Sequence, residues 1–185
     1  DPSPGNSKLL DSYRFTTTEL VRMVDGYRRG SLIDGSACEP LPNLDIFVAA
    51  HPEYPDNALE KHFRFLKRKL DAGPQFVMTQ PVYELDGWKR FVERLAGLTE
   101  VPILIGILPL QSFRHAEFLH NEVPGIHVPD WIRGRMHEAA NEGQKVGVEL
   151  ARALLAQCRS MANGVYLMPS FGRYENCLEV LDGPS

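Results

Sequence analysis

The sequence predicts an α/β fold with a parallel sheet, and three observations support this prediction. Four short apolar runs of strand length alternate along the 185 residues with segments of helical periodicity, which is the order of βα units. The runs are apolar at successive positions, as in parallel strands that have both faces covered. Four units are half the number in a (β/α)8 barrel, so we expect one half of such a barrel. A small open doubly wound sheet is the alternative.

The four predicted strands are short, and the first three are rich in β-branched or aromatic residues. No Gly-x-Gly-x-x-Gly turn follows any of them, and no repeat of fixed period is present. The predicted strands are Leu44 to Ala50, Phe76 to Tyr83, Val101 to Leu108 and Val165 to Pro169.

Helices are predicted wherever apolar residues recur at spacings of three and four. Leu59, Phe63, Leu66 and Leu70 form one such face, and Gly73-Pro74 ends that helix. Pro129 stands where a first-turn proline opens a helix. The predicted helices are Thr18 to Arg28, Leu59 to Leu70, Leu85 to Leu95, Phe113 to Asn121, Pro129 to Asn141 and Val146 to Gln157, and Gly30 to Pro42 is a predicted loop.

Composition and charge exclude several classes of protein. Apolar content is 43%, and 20 Lys and Arg against 24 Asp and Glu leave a net charge of −4, which argues against a nucleic-acid partner. No apolar stretch reaches the length of a membrane span, and we see no export signal, so we expect a cytoplasmic protein without membrane contact. Cys38, Cys158 and Cys177 are far apart, which favours buried bystander thiols over a disulfide framework.

Polar and aromatic side chains follow all four predicted strands, at the end where barrels bind ligands. Gln80 is the most informative, because a long amide in an apolar strand is costly unless it finds partners. It is either a structural hydrogen-bonding group or a receptor for an amide-like ring edge. Arg173 suits a carboxylate or phosphate, and the Lys67-Arg68-Lys69 run is either a solvated helix face or a phosphate contact. His115 and His120 are five residues apart, a poor spacing for a metal site, and we expect none.

Several segments together resemble the methylenetetrahydrofolate reductase family. Phe65 to Gly73 (Phe-Leu-Lys-Arg-Lys-Leu-Asp-Ala-Gly), followed by Met78-Thr79-Gln80, is similar to a characteristic block of that family. Ala49 to Glu53 and Gly106 to Pro109 resemble two of its strand ends, and Asp1-Pro2 resembles the turn after its fourth strand. Further similar segments, closest to the reductase part of bifunctional proteins fused to a homocysteine S-methyltransferase, are Gln80 to Tyr83, Ala116 to Ile126 and Arg173 to Glu175.

The resemblance implies that residues 1–185 are the C-terminal half of one FAD-binding barrel domain, from the loop after strand 4 through strand 8. It implies reduction of 5,10-methylenetetrahydrofolate to 5-methyltetrahydrofolate by FAD and NAD(P)H, within one-carbon and methionine metabolism. By position, Asp1 matches a catalytic Asp beside flavin and pterin. His51, Tyr54, Arg68 and Lys69 match FAD-binding positions, and Gln80, His115 and Arg173 match folate-binding positions.

This sequence departs from the family pattern at several of these positions. Phe65 replaces a common cofactor-contacting Asn, His51 a common Tyr and Tyr54 a common His. His115 and Leu119 replace a Gln and a Phe that lie against the substrate in single-function enzymes. The proton-donating Glu of the family belongs to the first strand, so we expect an N-terminal half barrel to complete the enzyme. We also expect a homo-oligomer. The alternatives are a non-catalytic half-barrel interaction module and a barrel flavoenzyme of the proline dehydrogenase kind.

Overall fold

The computed structural model describes residues 15–41, 44–52 and 56–182, with the side chains of 56–59 outside that description. Over these residues strands and helices alternate along the chain. The strands are β1 (Phe47–Ala50), β2 (Phe76–Pro81), β3 (Ile103–Ile107) and β4 (Gly164–Leu167). The helices are α1 (Thr17–Arg29), α2 (Asp56–Leu70), α3 (Leu85–Ala96), α4 (Phe113–Glu122), α5 (Asp130–Glu138), α6 (Gly143–Cys158) and α7 (Tyr174–Leu181), with 3-10 turns at Ala140–Glu142 and Ser170–Gly172.

The four strands form one parallel sheet in the order β1-β2-β3-β4. Phe47 pairs with Phe76, and Leu104 pairs with Gly164. At least one helix connects each strand to the next, as parallel pairing requires. The predicted α/β fold with parallel strands is therefore confirmed. The strand order never reverses, which is consistent with part of a (β/α)8 barrel and differs from a doubly wound sheet.

One face of the sheet packs against the helices and forms the main core. Val48, Val77 and Ile105 alternate along their strands and are almost completely buried. They share one hydrophobic cluster with Trp88 of α3 and Leu154 of α6. Because side chains alternate between the two faces of a strand, all of these strand residues point toward the helix layer.

The opposite face of the sheet is apolar but open. Phe47 is 54% exposed, and its ring stacks on Phe76 with ring centroids 5.6 Å apart. Met78, Gln80 and Tyr166 also lie on this face and are half-buried. The strands are therefore apolar at successive positions, but the described helices cover only one of the two faces of the sheet.

Two side-chain amides fix where strands begin. The Gln75 side-chain oxygen accepts from the Ile46 backbone N–H at 2.7 Å, while the Gln75 backbone N–H donates to the Ile46 carbonyl at 2.8 Å. Asn163 does the same for Ile103, accepting its N–H at 2.9 Å and donating to its carbonyl at 3.1 Å. Gln75 and Asn163 extend the pairing of neighbouring strands by one step before the regular ladder begins. They also satisfy backbone groups that would otherwise be unpaired.

Helix α6 lies unusually close to the segment that follows β3. Gly143 and Gly147 are one turn apart, so they share one face of the helix. A methyl group at Gly147 would overlap the Leu110 carbonyl, and one at Gly143 would lie 3.1 Å from the Gln111 carbonyl. The helix backbone therefore rests directly on residues 110–112, with no room for larger side chains.

The structure corrects several predicted boundaries. β1 begins at Phe47 rather than Leu44, β3 ends at Ile107, and α5 ends at Glu138 rather than Asn141. Helix α7 was not predicted. Its buried positions are Asn176, Cys177 and Val180, so a polar amide occupies part of the face that a sequence pattern expects to be apolar.

Among the described residues, no helix is both long enough and apolar enough to cross a membrane.

The two glycines Gly147 and Gly134 give a matched test of the close α6 contact. Gly147→Ala should destabilise the protein by about 1–3 kcal/mol, because the new methyl group has to displace the Leu110 backbone. Gly134→Ala in α5 faces open space and should stabilise by up to about 1 kcal/mol through helix propensity. Denaturant unfolding of both variants measures the difference, and equal effects would contradict the packing described here.

Candidate functional site

The carboxyl ends of the four strands lie along one edge of the sheet because the strands are parallel. The segments that leave this edge carry His51 after β1, His115 after β3 and Arg173 after β4, and Gln80 lies in the last part of β2. Ligands of (β/α)8 proteins bind at this edge. The fold therefore brings predicted site residues from four separate segments to the same side of the sheet.

Gln80 lies half-buried on the open face. No described residue forms a hydrogen bond with its side-chain amide. The alternative that Gln80 is a structural hydrogen-bonding group therefore has no support among the described residues. An amide offers two donors and one acceptor oxygen. Gln80 can therefore hydrogen-bond a ligand ring edge from the floor of the site.

Tyr166 lies in β4, which is separated from β2 by β3. It was not among the predicted site residues. Its hydroxyl donates to the Thr79 carbonyl, and it passes over Gly106 of β3. A Cβ at Gly106 would lie 2.7 Å from the Thr79 oxygen and 2.8 Å from the Tyr166 hydroxyl, so only glycine leaves room for this contact. Burial raises the pKa of Tyr166, which keeps the phenol protonated as a donor. The feature of the sequence that could have identified Tyr166 is a hydroxyl-bearing side chain inside an otherwise apolar strand.

His51 lies half-buried at the end of β1, with its ring against the backbone of Gly125. The ring centroid of His62 lies 6.4 Å away. Burial lowers the pKa of His51, the Gly125 backbone hydrogen bond opposes that shift, and the Lys69 and His62 charges lower the pKa further. The imidazole is therefore neutral near pH 7.

The predicted Lys67-Arg68-Lys69 run splits into different environments. Lys67 forms a solvent-exposed ion pair with Asp71 at 2.9 Å. The Arg68 guanidinium is exposed and lies over the ring of Phe65, 5.7 Å from its centroid. Of the three basic residues, only Lys69 turns inward toward the sheet.

The ammonium group of Lys69 donates to the carbonyl of Ala49 in β1 at 3.0 Å. Burial lowers the pKa of Lys69, and no described carboxylate lies within ion-pair distance of its nitrogen. A partly desolvated cation without a counter-ion favours binding of an anion. Lys69 is therefore the residue of the basic run best placed to meet a ligand phosphate.

His115 lies in the first turn of helix α4, which follows β3, and is mostly buried. Its Nδ1 accepts the backbone N–H of Gln111 at 3.3 Å, so the imidazole proton lies on Nε2. Burial lowers the pKa of His115, which favours this neutral form. The ring of Phe171 lies 5.2 Å from the His115 ring.

Arg173 follows the 3-10 turn after β4 and precedes helix α7. Its Nη1 donates to the side-chain oxygen of Gln144 at 2.8 Å, and the residue is otherwise exposed. Phe171, two residues earlier, is 77% exposed and has φ 55°, a left-handed conformation that is strained for a large side chain. Such strain is found most often at functional sites. The Arg173 end of the site thus presents both a cation and an exposed ring.

Leu119 is buried on helix α4 within the cluster that includes Leu110. Where the resemblance implies a substrate contact, the structure gives it a core role. Asp1 and Tyr54 lie outside the described residues, so their assigned roles stay predictions.

Two of the three cysteines, Cys158 and Cys177, are buried free thiols. Cys158 is completely buried, and burial raises its pKa to about 11, so it remains a thiol. Burial also raises the pKa of Cys177. Within residues 15–41, 44–52 and 56–182, no three His, Cys, Asp or Glu side chains are grouped so that they could hold a metal ion.

The fold defines a class: an α/β protein with a parallel sheet, which here carries candidate ligand-binding residues at the carboxyl ends of its strands. Residues 16–171 match the sequence family described as methylenetetrahydrofolate reductase. The chain belongs to this family. The prediction drawn from the sequence segments is therefore confirmed, although the bifunctional relationship is not.

Individual relatives are similar over part or all of the chain. Methylenetetrahydrofolate reductase 2 of Saccharomyces cerevisiae is 28% identical over 65% of this chain and 20% of its own length. A probable methylenetetrahydrofolate reductase (NADPH) of Caenorhabditis elegans is 28% identical over 96% of this chain and 26% of its own length. The 5,10-methylenetetrahydrofolate reductase of Salmonella typhimurium is 34% identical over 49% and 31%. The chain thus spans about a fifth to a third of these relatives.

A solved structure from Clostridium thermocellum, described as an uncharacterized protein that binds two copies of 5-methyl-5,6,7,8-tetrahydrofolic acid, has a similar fold. Its TM-score is 0.57 at 21% identity, covering 77% of this chain and 53% of that one. At this identity the similarity supports the fold.

The pH dependence of stability should report the burial of His51. Because its pKa is lowered in the folded state, the unfolded chain takes up the proton first as the pH falls. The free energy of unfolding should therefore decrease as the pH drops through about 6.5. Thermal unfolding of His51→Gln at several pH values should show a smaller decrease than the parent. The same change at exposed His127 is the control, and an unchanged slope in His51→Gln would contradict this account.

Proposed function

We propose that residues 1–185 are the C-terminal half of an FAD-binding barrel that reduces 5,10-methylenetetrahydrofolate to 5-methyltetrahydrofolate with a reduced nicotinamide nucleotide. One observation carries the proposal: polar groups suited to phosphate, ring-edge and carboxylate recognition lie along a single carboxyl edge of the sheet. Membership of the methylenetetrahydrofolate reductase family supports the same chemistry. An oxidoreductase of one-carbon metabolism accounts for both.

The open face of the sheet supports the half-barrel proposal. Phe47 and Phe76 form a stacked apolar pair that no described helix covers. Burying an apolar side chain contributes roughly 1.5–3 kcal/mol, so an uncovered face is a large loss of stability. A further set of strands closing onto β1 and β4 would bury this face and remove both sheet edges. The relatives, of which this chain spans only a part, are long enough to supply such strands.

The residues at the end of β1 fit the FAD that the family implies. Lys69 provides a partly buried cation without a described counter-ion, which suits a phosphate, and exposed Arg68 lies one residue before it. His51 provides a neutral ring on the same side of the sheet. When bound, FAD supplies hydride transfer. Lys69, Arg68 and His51 would then hold the cofactor against the strand ends.

The remaining residues fit the folate. Gln80 can donate to and accept from the edge of the pterin ring, since its amide has no described partner. His115 offers an Nε2–H donor, and Arg173 offers a cation for a carboxylate. We extend the proposal to Asp1 as the residue that tunes flavin and pterin, and to Tyr54 as an FAD contact, on the resemblance alone. NAD(P)H as the electron source, a cytoplasmic homo-oligomer and a fused methyltransferase are proposed on the same basis.

Gln80→Leu in the full-length protein tests the folate assignment. Losing the amide should lower kcat/KM for methylenetetrahydrofolate roughly 10- to 100-fold, since about two hydrogen bonds to the ring are lost. Bound FAD, measured by absorbance, should stay at the parent level. Gln157→Leu, an exposed glutamine on α6, is the matched control. Loss of flavin with normal folate kinetics would assign Gln80 to the cofactor instead, and a protein without folate turnover would favour a non-catalytic module.

Lys69→Ala tests the cofactor assignment. The Kd for FAD should rise roughly tenfold at low salt, since a charge-assisted contact to phosphate is lost. The difference in Kd between Lys69→Ala and the parent should narrow as salt is added, because salt screens the attraction between the partly exposed ammonium group and the phosphate. Lys67→Ala is the control, since Lys67 already pairs with Asp71 on the solvent side. Equal FAD titrations for parent and Lys69→Ala across the salt series would remove Lys69 from the site.

A further inference from the structure

A continuous chain of side-chain amides crosses the carboxyl edge between β3 and β4. Arg173 Nη1 donates to Gln144 Oε1 at 2.8 Å, and Gln144 Nε2 donates to Asn176 Oδ1 at 2.7 Å. Asn176 Nδ2 donates to Gln111 Oε1 at 2.8 Å, and Gln111 Nε2 donates to the Pro109 carbonyl at 3.0 Å. The chain therefore connects the start of α7, the start of α6 and the segment after β3.

The two ends of this chain fix its direction. A guanidinium group can only donate hydrogen bonds, and a backbone carbonyl can only accept them. Each of the three amides between Arg173 and Pro109 must therefore turn its oxygen toward Arg173 and its nitrogen toward Pro109. Reversing any one amide would place two donors or two acceptors against each other on both of its sides. A single orientation of the whole chain satisfies every link.

Burial makes that orientation rigid. Asn176, the middle link, is only 1% exposed. A buried amide without partners is costly, and hydrogen bonds between buried groups strengthen one another. Asn176 therefore fixes the side chains on both of its sides, and Arg173 is held although it is itself exposed.

The same chain reaches His115. Gln111, whose side chain is the last link, also donates its backbone N–H to His115 Nδ1 at 3.3 Å. This bond sets the imidazole tautomer and leaves Nε2–H as the donor. The orientation of Arg173 and the tautomer of His115 thus depend on one residue between them.

We propose that Gln111, Gln144 and Asn176 are positioning residues, which hold the Arg173 guanidinium in one orientation to receive a carboxylate of the bound ligand. The inference rests on the proposed function in that the carboxylate is taken to be that of a folate. An arginine fixed before binding loses less side-chain freedom when the ligand arrives. The three amides themselves touch neither ligand nor cofactor and act through Arg173.

Gln144→Met in the full-length protein breaks the first link while keeping side-chain length and helix propensity. KM for methylenetetrahydrofolate should rise roughly 3- to 10-fold with kcat unchanged within about twofold, as expected when ground-state and transition-state binding weaken together. Gln157→Met on the same helix is the control, since its amide donates only to Ala153 of its own helix. A fall in kcat with constant KM would overturn the proposal.

A double-mutant cycle separates positioning from a general structural effect. If Gln144 acts through the guanidinium, Gln144→Met should have no further effect on KM in an Arg173→Met background. Equal effects of Gln144→Met in both backgrounds would show that the amide acts independently of Arg173 and would overturn the proposal.

A measurement that needs no folate distinguishes this inference from the proposed function. In protein labelled with ¹⁵N and ¹³C arginine, NMR should show separate Nη signals for Arg173, because the Gln144 bond hinders rotation of the guanidinium. In Gln144→Met and in Asn176→Leu, faster rotation of the guanidinium should average these signals. Averaged signals in the parent would overturn the positioning role. Separate signals in a protein that does not turn over folate would reject the proposed function alone.

Discussion

The close contact between helix α6 and the segment after β3 determines much of the remaining architecture. Gly143 and Gly147 allow the helix backbone to rest on the carbonyls of Leu110 and Gln111. Larger residues would push the helix outward and move Gln144 away from its partners, since packed interiors have few voids to absorb a shift. The amide chain that orients Arg173 therefore depends on two glycines one helical turn apart.

Electrostatics at the carboxyl edge follow from partial burial rather than from opposing charge pairs. Burial lowers the pKa of His51, His115 and Lys69, and raises that of Tyr166. Each shift favours the neutral form of its group, so His51, His115 and Tyr166 are neutral donors and acceptors, while Lys69 and Arg173 supply the cations. Such a site can hydrogen-bond a polar ring and still attract phosphate and carboxylate groups. That combination suits the flavin and the folate that we propose to bind at this edge.

The departures from the family pattern acquire physical meaning in the fold. Where the resemblance implies a glutamine, His115 presents an Nε2–H donor because Gln111 fixes the tautomer. Where it implies a phenylalanine, Leu119 is buried, and Phe171 places an exposed ring beside His115 from the segment after β4. Where it implies an asparagine, the exposed Arg68 guanidinium lies over the ring of Phe65. The contacts at these positions therefore differ from those that the resemblance implies.

The amino-acid sequence predicted the four strands, six of the seven described helices and the sheet edge where we propose the site. Period-2 and period-3.6 patterns depend on neighbours in the chain, so they predicted the alternation of strands and helices, and the segment from Phe65 to Gln80 identified the family. Only the tertiary structure separated Lys69 from Lys67, because a helix face is chosen by what packs against it. It also revealed helix α7 and the chain through Gln111, Gln144 and Asn176, in which the bonded pairs Gln144–Asn176 and Asn176–Gln111 lie 32 and 65 residues apart. Hydrogen bonds between residues so distant have no local signature, since they form only when the packing of α6 brings the side chains together.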